Sequence, residues 1–195
     1  KKDALCVVAH PDDETIWMGG TNLKNKDFNW TILSLCRKND SDRAPKFRKV
    51  CKFYNAKSII SDLEDEKIKP LSILLIIKKI KSTLPKKNYD VIFTHGEKGE
   101  YGHLRHLDVN KAVTKMTREG KLNCGRLYFF SYIPSEVKSP HHSELKIPIP
   151  NEKADLVIEL SDEEFNEKFK IITEVYGFKH PIFESLSCNI KEAFT

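Results

Sequence analysis

The chain has 195 residues, of which 39% are hydrophobic and 31% charged, a composition typical of one folded domain with an apolar core. Basic residues outnumber acidic ones by 33 to 28, so the net charge is only +5. Because the lysines are spread along the chain and no arginine-rich block occurs, we expect no nucleic-acid partner. The longest apolar stretch, residues 71–77, is too short to cross a bilayer, so we expect no membrane span in this chain.

The five cysteines are scattered and odd in number, and no two of them form a C-x-x-C pair. Such cysteines are typical of free thiols in a reducing compartment. The first residues show neither the basic nor the apolar region of a secretory signal. We therefore expect a cytoplasmic protein.

The first half of the chain alternates strand patterns with helical patterns. Short apolar runs rich in β-branched residues predict strands at residues 4–8, 30–36 and 58–60. Helical spacing of apolar residues predicts helices at residues 16–26, 47–54 and 71–84, the last of them mostly buried. A polar loop at residues 37–43 and a charged loop at residues 62–69 connect these elements.

The second half continues the alternation. Strands are predicted at residues 90–94, 126–133 and 154–160, and helices at residues 107–118 and 162–176, the second capped by Ser161. Residues 139–150 are predicted to form a loop. The alternation indicates an α/β fold, a Rossmann-like, mainly parallel sheet with helices on both faces, in a single domain over residues 1–195.

A first polar motif, Ala-His-Pro-Asp-Asp-Glu at residues 9–14, follows the first strand. Carboxylates this close repel one another unless a cation or a shared proton relieves them. His10 and Asp13 can face one ion from two sides, which leaves Asp12 free to act as a base. The alternative is a helix start whose acids cap it, beside an unrelated histidine. This motif alone does not decide between the two.

A second polar motif follows the strand at residues 90–94. His95, His103 and His106 lie within twelve positions, and the last two are three apart at a helix start, so both can face one point. If both motifs lie at the carboxyl edge of the sheet, they supply enough ligands for a catalytic zinc ion, which uses three protein ligands and an open position. Helix-capping histidines become the weaker interpretation.

Together, residues 9–14 and the Gly-Glu-Tyr-Gly-His-x-x-His sequence at residues 99–106 resemble the PIG-L/LmbE-like deacetylases. The resemblance implies a zinc-dependent hydrolase that removes acetyl from N-acetylglucosamine-type sugars, with one metal ion per chain. By motif position it implies a metal-ligand set of His10, Asp13 and His106. A mixed nitrogen and oxygen site selects poorly between metals, so Fe²⁺ is the alternative to Zn²⁺.

The same resemblance assigns the catalytic groups. Asp12 falls at the general base, with Glu14 as the next candidate. His103 and Tyr101 fall at the groups that assist the carbonyl and the tetrahedral intermediate. Trp17, close to the metal motif, fits the core better than a sugar-stacking platform.

Substrate binding is predicted around basic residues of the loops. Arg43 sits where the family often has an arginine that reaches the substrate, and Arg37 lies in the same loop. Arg105 stands where family members frequently have an acid, and Lys46 is a second such departure, so we expect a positive pocket rim. An anionic N-acetyl amino-sugar conjugate, small molecule or glycan, is the predicted substrate. His95 is a further candidate, which either lines the pocket or satisfies a backbone group.

Two other functions remain open. A different metallohydrolase reaction, such as phosphoester cleavage, usually needs a second metal and more carboxylates. A non-catalytic sugar- or nucleotide-binding module on a Rossmann-like sheet is the other possibility. The first loop lacks the G-x-G-x-x-G pattern of such modules, and a pure binder does not need Asp12 beside a complete ligand set.

Overall fold

The computed structural model describes residues 1–67 and 69–195; Ile68, in the predicted charged loop, lies outside the described residues. The strands are β1 (Asp3–Val8), β2 (Asn29–Ser34), β3 (Lys57–Ile60), β4 (Asn88–Thr94), β5 (Asn123–Phe129), β6 (Tyr132–Lys138), β7 (Lys146–Pro150), β8 (Leu156–Glu159) and β9 (Lys191–Phe194). The helices are α1 (Asp13–Ile16), α2 (Gly19–Lys24), α3 (Arg43–Phe53), α4 (Ile73–Thr83), α5 (Gly99–Gly102), α6 (Leu104–Arg118), α7 (Asp162–Lys170) and α8 (Phe183–Leu186).

The central sheet has five parallel strands in the order β3-β2-β1-β4-β5. The chain builds outward from β1 to β3 and then returns to place β4 on the other side of β1. In open α/β sheets, ligands bind outside the carboxyl ends of the strands at this point of reversal. The predicted α/β fold is confirmed, and both motifs follow the two strands that meet there.

The apolar run of β1 is explained by burial on both faces of the sheet. Ala4, Cys6 and Val8 point into one apolar cluster, which α3 and the π-helical turn Ile171–Val175 cover. Leu5 and Val7 point into the other cluster, which α4 and α6 cover. A strand covered on both faces has no polar side, which is why β1 reads as a continuous hydrophobic run.

Two predicted helices differ in detail from the observed ones. The helix predicted at residues 16–26 is split into α1 and α2, and Gly20 of α2 lies so close to Leu160 that a Cβ atom would be 2.2 Å from Cδ2. The helix predicted at residues 162–176 is α-helical only to Lys170 and then continues as the π-helical turn. Its predicted cap is confirmed, because Ser161 Oγ accepts a hydrogen bond from the Glu164 N–H at 3.2 Å.

The last third of the chain corrects two predictions and adds one strand. Residues 126–133 are not one strand: β5 ends at Phe129, and β6 leaves the central sheet to pair antiparallel with β7. Residues 146–150, predicted as loop, form β7. Strand β9 was not predicted and pairs antiparallel with β8. An alternating or continuous apolar pattern indicates a strand but not the strand that pairs with it. The sequence therefore does not show that the chain leaves the central sheet after Phe129.

Helix α4 is less buried than predicted. Ile76, Ile77 and Ile80 face the core, but Leu74 and Leu75 are 66% and 48% exposed. Within the described residues, no helix has the length and apolar character needed to cross a membrane. All five cysteines lie in the described part of the chain and are free.

Candidate metal centre and active site

A cavity of about 320 Å³ opens at the carboxyl ends of β1 and β4. The loop after β1 and α1 contribute His10, Asp12 and Asp13 to its wall, and the segment between β4 and α6 contributes Tyr101 of α5 and His103. The neighbouring positions of the two strands therefore bring residues about ninety positions apart into one site. The wall is completed by α8, which lies far beyond both motifs.

Three potential ligand atoms form a nearly equilateral triangle at this site. His10 Nδ1, Asp13 Oδ2 and His106 Nε2 each lie 3.4 Å from the other two. Zinc–ligand bonds of ~2.0–2.1 Å in tetrahedral geometry separate neighbouring ligand atoms by ~3.4 Å. The two imidazoles and one carboxylate therefore fit a divalent cation of this kind, and the structure brings together all three predicted ligands.

The Asp13 carboxylate is held by two donors. Trp17 Nε1 donates to Oδ1 at 2.9 Å, and the backbone N–H of His10 donates to Oδ2 at 2.9 Å. Trp17 is fully buried, so it belongs to the core as predicted and also orients this carboxylate. Burial alone would raise the pKa of Asp13, but the neighbouring imidazoles of His106, His95 and His10 outweigh it and hold that pKa well below its usual value.

Glu100 is a site residue that was not predicted from the sequence. Its Oε2 lies 2.8 Å from Nδ1 of His95 and 2.6 Å from Nδ1 of His106, and its Oε1 accepts the Gly96 N–H at 2.8 Å. Nδ1 of His106 therefore carries the proton, which leaves the Nε2 lone pair free to bind an ion. Glu100 lies inside the second motif, but neither its φ of 58° nor its two histidine partners can be read from the sequence.

His95 lies behind the triangle and not at the cavity wall. It is fully buried, its Nε2 accepts the Ala9 N–H at 2.9 Å, and its ring stacks on His106 with centroids 3.8 Å apart. This placement corrects its assignment to substrate binding, because its ring nitrogens are both engaged and its faces are covered. Of the two roles left open, the structure shows the one that satisfies a backbone group.

Asp65 is the second site residue that was not predicted. Its Oδ1 lies 3.0 Å from Nε2 of His10, and its Oδ2 lies 2.8 Å from the Arg37 guanidinium. The contact with Nε2 leaves Nδ1 of His10 as the ligand atom of the triangle. Asp65 is 55 residues from His10 in a charged loop, so no motif spacing marks it.

Asp12 has a backbone conformation that side chains rarely adopt, with φ 111°. Its N–H donates to Glu14 Oε2 at 2.9 Å, and its carboxylate is paired with Arg43. Burial, and then repulsion by Asp13, raise the pKa of Asp12 well above its usual value despite Arg43. Strained residues persist where the surroundings over-determine them, and they cluster at functional sites.

Glu14 supports this loop from inside the protein. It is fully buried, and its Oε1 accepts the Tyr176 hydroxyl at 2.7 Å. Burial raises its pKa to about 7, although hydrogen bonds from Tyr176, Thr15 and the Asp12 N–H oppose the shift. Glu14 does not reach the cavity wall, so its position fits support of Asp12 better than the role of a substitute base.

Tyr101 and His103 occupy the same cavity wall. Nδ1 of His103 accepts the Arg105 N–H at 3.2 Å, so the neutral ring carries its proton on Nε2. Burial, and then the nearby imidazoles of His106 and His10, lower the pKa of His103 to about 3. Tyr101 packs against Phe183 of α8 with ring centroids 4.7 Å apart.

The basic groups of the predicted positive rim are paired with carboxylates of the protein, which corrects the prediction for Arg43 and Lys46 and leaves it a prediction for Arg37. Arg43 stacks on Phe178, 4.3 Å from the ring centroid, besides its pairing with Asp12. Lys46 is bound to Asp42 and to the Tyr176 carbonyl and does not line the cavity. Arg37 also lines the cavity and pairs with Asp65, but its side chain is 44% exposed.

Arg105 requires a separate correction. Its side chain is only 2% exposed, and its guanidinium donates to the carbonyls of Glu64 and Lys69 and to the Glu64 and Asp108 carboxylates. At least four of its five N–H donors are therefore occupied by the protein itself. Arg105 is a structural clamp beside the cavity and not a free substrate-binding group.

Comparison with known families gives a match to the model described as PIG-L, GlcNAc-PI de-N-acetylase, over residues 5–117. That span covers more than half of the chain and contains both motifs. The chain belongs to the PIG-L family. A protein of Acanthamoeba polyphaga mimivirus is 28% identical over 151 residues, which are 68% of this chain and 63% of that protein. The chain thus spans less than two thirds of the length of this relative.

Solved structures share the fold of this PIG-L family member. A conserved protein of Thermus thermophilus is 15% identical with a TM-score of 0.67, covering 100% of this chain and 94% of that one. A deacetylase of teicoplanin biosynthesis is 15% identical with a TM-score of 0.65, covering 89% and 83%. The 4-carboxy-2-hydroxymuconate hydratase of Pseudomonas putida is 13% identical with a TM-score of 0.64, covering 96% and 83%. At these identities the likeness concerns the fold alone.

Proposed function

We propose that this PIG-L family member is a metal-dependent N-deacetylase that releases acetate from an N-acetylated amino sugar. The observation that carries the proposal is the triangle of His10, Asp13 and His106, with mutual distances of 3.4 Å, beside the cavity that Asp12 also lines. A Zn²⁺ ion is the proposed occupant, with Fe²⁺ as the alternative. When bound, the ion polarises the acyl carbonyl and lowers the pKa of a water molecule.

The chain's own residues move the protons and stabilise charge. Asp12, oriented by Arg43 and Glu14, accepts the proton of the attacking water. The hydroxyl of Tyr101 and the Nε2–H of His103 donate hydrogen bonds to the acyl oxygen as it gains negative charge. Asp12 then returns the proton to the leaving amine, so the reaction yields acetate and a free amino sugar without a second acid.

The proposed substrate is a GlcNAc-type conjugate. The composition of the cavity wall supports a sugar ligand, because Tyr101 and Phe183 supply aromatic surface for a sugar ring. Among the cavity arginines, Arg37 has the most exposed side chain, at 44%. We assign to Arg37 the recognition of an anionic group on the conjugate, for which it exchanges its contact with Asp65.

The proposal is tested by metal analysis and an acetate-release assay. The purified chain is expected to hold one divalent ion, and the loaded protein is expected to release acetate from N-acetylglucosamine conjugates. His106→Ala is expected to lose both the metal and the activity. Metal-loaded protein that releases no acetate but cleaves a phosphoester supports the other hydrolase. A chain that binds a sugar without metal is a binding module.

The anionic group is tested separately with the free sugar and its phosphate derivative. Arg37→Gln is expected to raise KM for the phosphate derivative about tenfold or more, the range of a lost charged hydrogen bond, and to leave the free sugar unaffected. Arg48→Gln, an exposed arginine of α3 outside the cavity wall, is the matched control. Equal KM values for both sugars in all three proteins contradict the role of Arg37.

A further inference from the structure

Arg105 connects the start of α6 to a segment distant in sequence. Its Nε donates to the Glu64 carbonyl at 2.6 Å and one terminal nitrogen donates to the Lys69 carbonyl at 2.7 Å. The other terminal nitrogen lies 2.9 Å from the Glu64 carboxylate. One buried guanidinium therefore holds two points of the segment on the same side of the cavity.

Asp108, one turn further along α6, completes this clamp. Its Oδ2 accepts from Arg105 at 2.8 Å and from the Leu71 N–H at 3.2 Å. The charge of Arg105 is thus balanced by Asp108 and Glu64. Because each contact is to a carboxylate or a backbone carbonyl, a shorter or apolar side chain at position 105 cannot reproduce the set.

The segment held by this clamp carries Asp65, the next residue after Glu64. Asp65 is bonded on one side to Nε2 of His10, at 3.0 Å, and on the other to Arg37. Arg105 Nε is 4.0 Å from Asp65 Oδ1, so it acts on Asp65 through the backbone of Glu64 rather than by a direct bond. The carboxylate that orients His10 is therefore placed by a residue on α6.

We propose that Arg105 is a positioning residue for the metal centre: it fixes the segment of Glu64 so that the Asp65 carboxylate holds His10 in the orientation that directs Nδ1 at the ion. The inference rests on the proposed metal site. It gives a role to Arg105, one of the two positions at which the sequence departs from the family pattern. Groups that orient metal ligands in this way typically change metal affinity 10- to 100-fold when removed.

A double-mutant cycle on metal affinity tests the coupling. Zn²⁺ affinity is measured by competition with a chelator for the unsubstituted protein, Arg105→Met, Asp65→Ala and the double variant, each verified as folded by circular dichroism. Each single variant is expected to bind Zn²⁺ 10- to 100-fold more weakly. The double variant is expected to bind no more weakly than Asp65→Ala, because Arg105 acts through Asp65.

Two further variants separate positioning from general stability. Arg105→Lys keeps the charge and is used if Arg105→Met does not fold; with fewer donors it is expected to lose part of the affinity. Lys168→Met breaks another buried ion pair, with Glu192, away from the cavity. This control is expected to lose stability while keeping its Zn²⁺ affinity.

The outcomes distinguish this inference from the proposed function. Wild-type affinity in a folded Arg105 variant, or additive losses in the double variant, overturns the inference alone. Zn²⁺ binding with the expected coupling but no acetate release supports the inference and overturns the deacetylase proposal. An unsubstituted protein that binds no Zn²⁺ overturns both.

Discussion

At the scale of single residues, the site depends on side chains held in place by buried carboxylates. Glu14 holds the Asp12 backbone, Glu100 holds His106, and Asp65 holds His10. Each of these carboxylates contacts a proposed ligand of the ion or the residue proposed as the general base. Buried polar groups are costly without partners, so their full pairing makes the geometry of the site rigid.

Asp12 provides the first test at this scale. Asp12→Asn keeps the size of the side chain but cannot accept a proton, so the rate of acetate release is expected to fall by about 10² or more. Metal content is expected to stay at the wild-type value, because Asp12 is not in the triangle. An Asn variant with most of its activity would show that the base lies elsewhere.

Glu100 provides the second test. Glu100→Gln keeps the size of the side chain but replaces the carboxylate beside the His95 and His106 rings with a neutral amide. Because the amide does not balance the positive charge of these imidazoles, Zn²⁺ affinity is expected to fall 10- to 100-fold. Chelator competition measures the change. Glu97→Gln, an exposed neighbour in the same loop, is the control and is expected to bind as the unsubstituted protein does. Equal affinity in the two variants would contradict the role of Glu100.

At the scale of elements, a buried ion pair joins the C-terminal strand to the rest of the protein. The Glu192 carboxylate of β9 accepts from the N–H groups of Gly20 and Thr21 in α2, at 2.7 and 2.8 Å, and from Lys168 of α7, at 2.8 Å. Lys168 and Glu192 are fully buried. The acid thus satisfies orphan donors at the start of α2 and binds three elements together.

Lys168→Met is expected to destabilise the protein by ~3–5 kcal/mol, because it leaves Glu192 charged and buried without its counter-ion. Urea unfolding measures the loss. The control is Lys191→Met in β9, which removes a solvent-accessible ion pair with Glu152. This variant is expected to leave the unfolding midpoint unchanged. A midpoint for Lys168→Met that equals that of the control would mean that the buried pair contributes nothing.

At the scale of the whole molecule, the proposed metal centre joins two parts of the sheet. His10 and Asp13 follow β1, whereas His106 belongs to α6, after β4. An ion bound to all three cross-links these parts in the folded state, and the unfolded chain does not present the triangle. Binding therefore adds to the free energy of unfolding by mass action.

Zn²⁺ at 100 times its dissociation constant is expected to raise the free energy of unfolding by ~2.7 kcal/mol. Thermal unfolding with and without a chelator measures the effect. His106→Ala is expected to show no such gain, while His142→Ala, an exposed histidine outside the cavity wall, is expected to keep it. A gain of equal size in His106→Ala would place the ion at another site.

The sequence was sufficient for the α/β class and for the first four strands of the sheet, because these rest on local signals: apolar runs buried on two faces and a proline that ends a strand. The set of His10, Asp13 and His106 was implied by the family resemblance, and the structure brings these residues together; that they bind a metal ion stays a prediction. The resemblance carried by the two motifs is confirmed by the family match. The roles of the individual site residues stay predictions.

Only the tertiary structure decided which groups surround the triangle. Asp65 contacts His10 although the two are 55 positions apart. Arg105, expected on the pocket rim, is a buried clamp. Likewise, β9 is added beside β8 by pairing that no pattern specifies. Hydrophobic period and local spacing indicate which face of an element is buried, but they do not specify what lies opposite it. Partners distant in sequence are set by the packing of the whole chain.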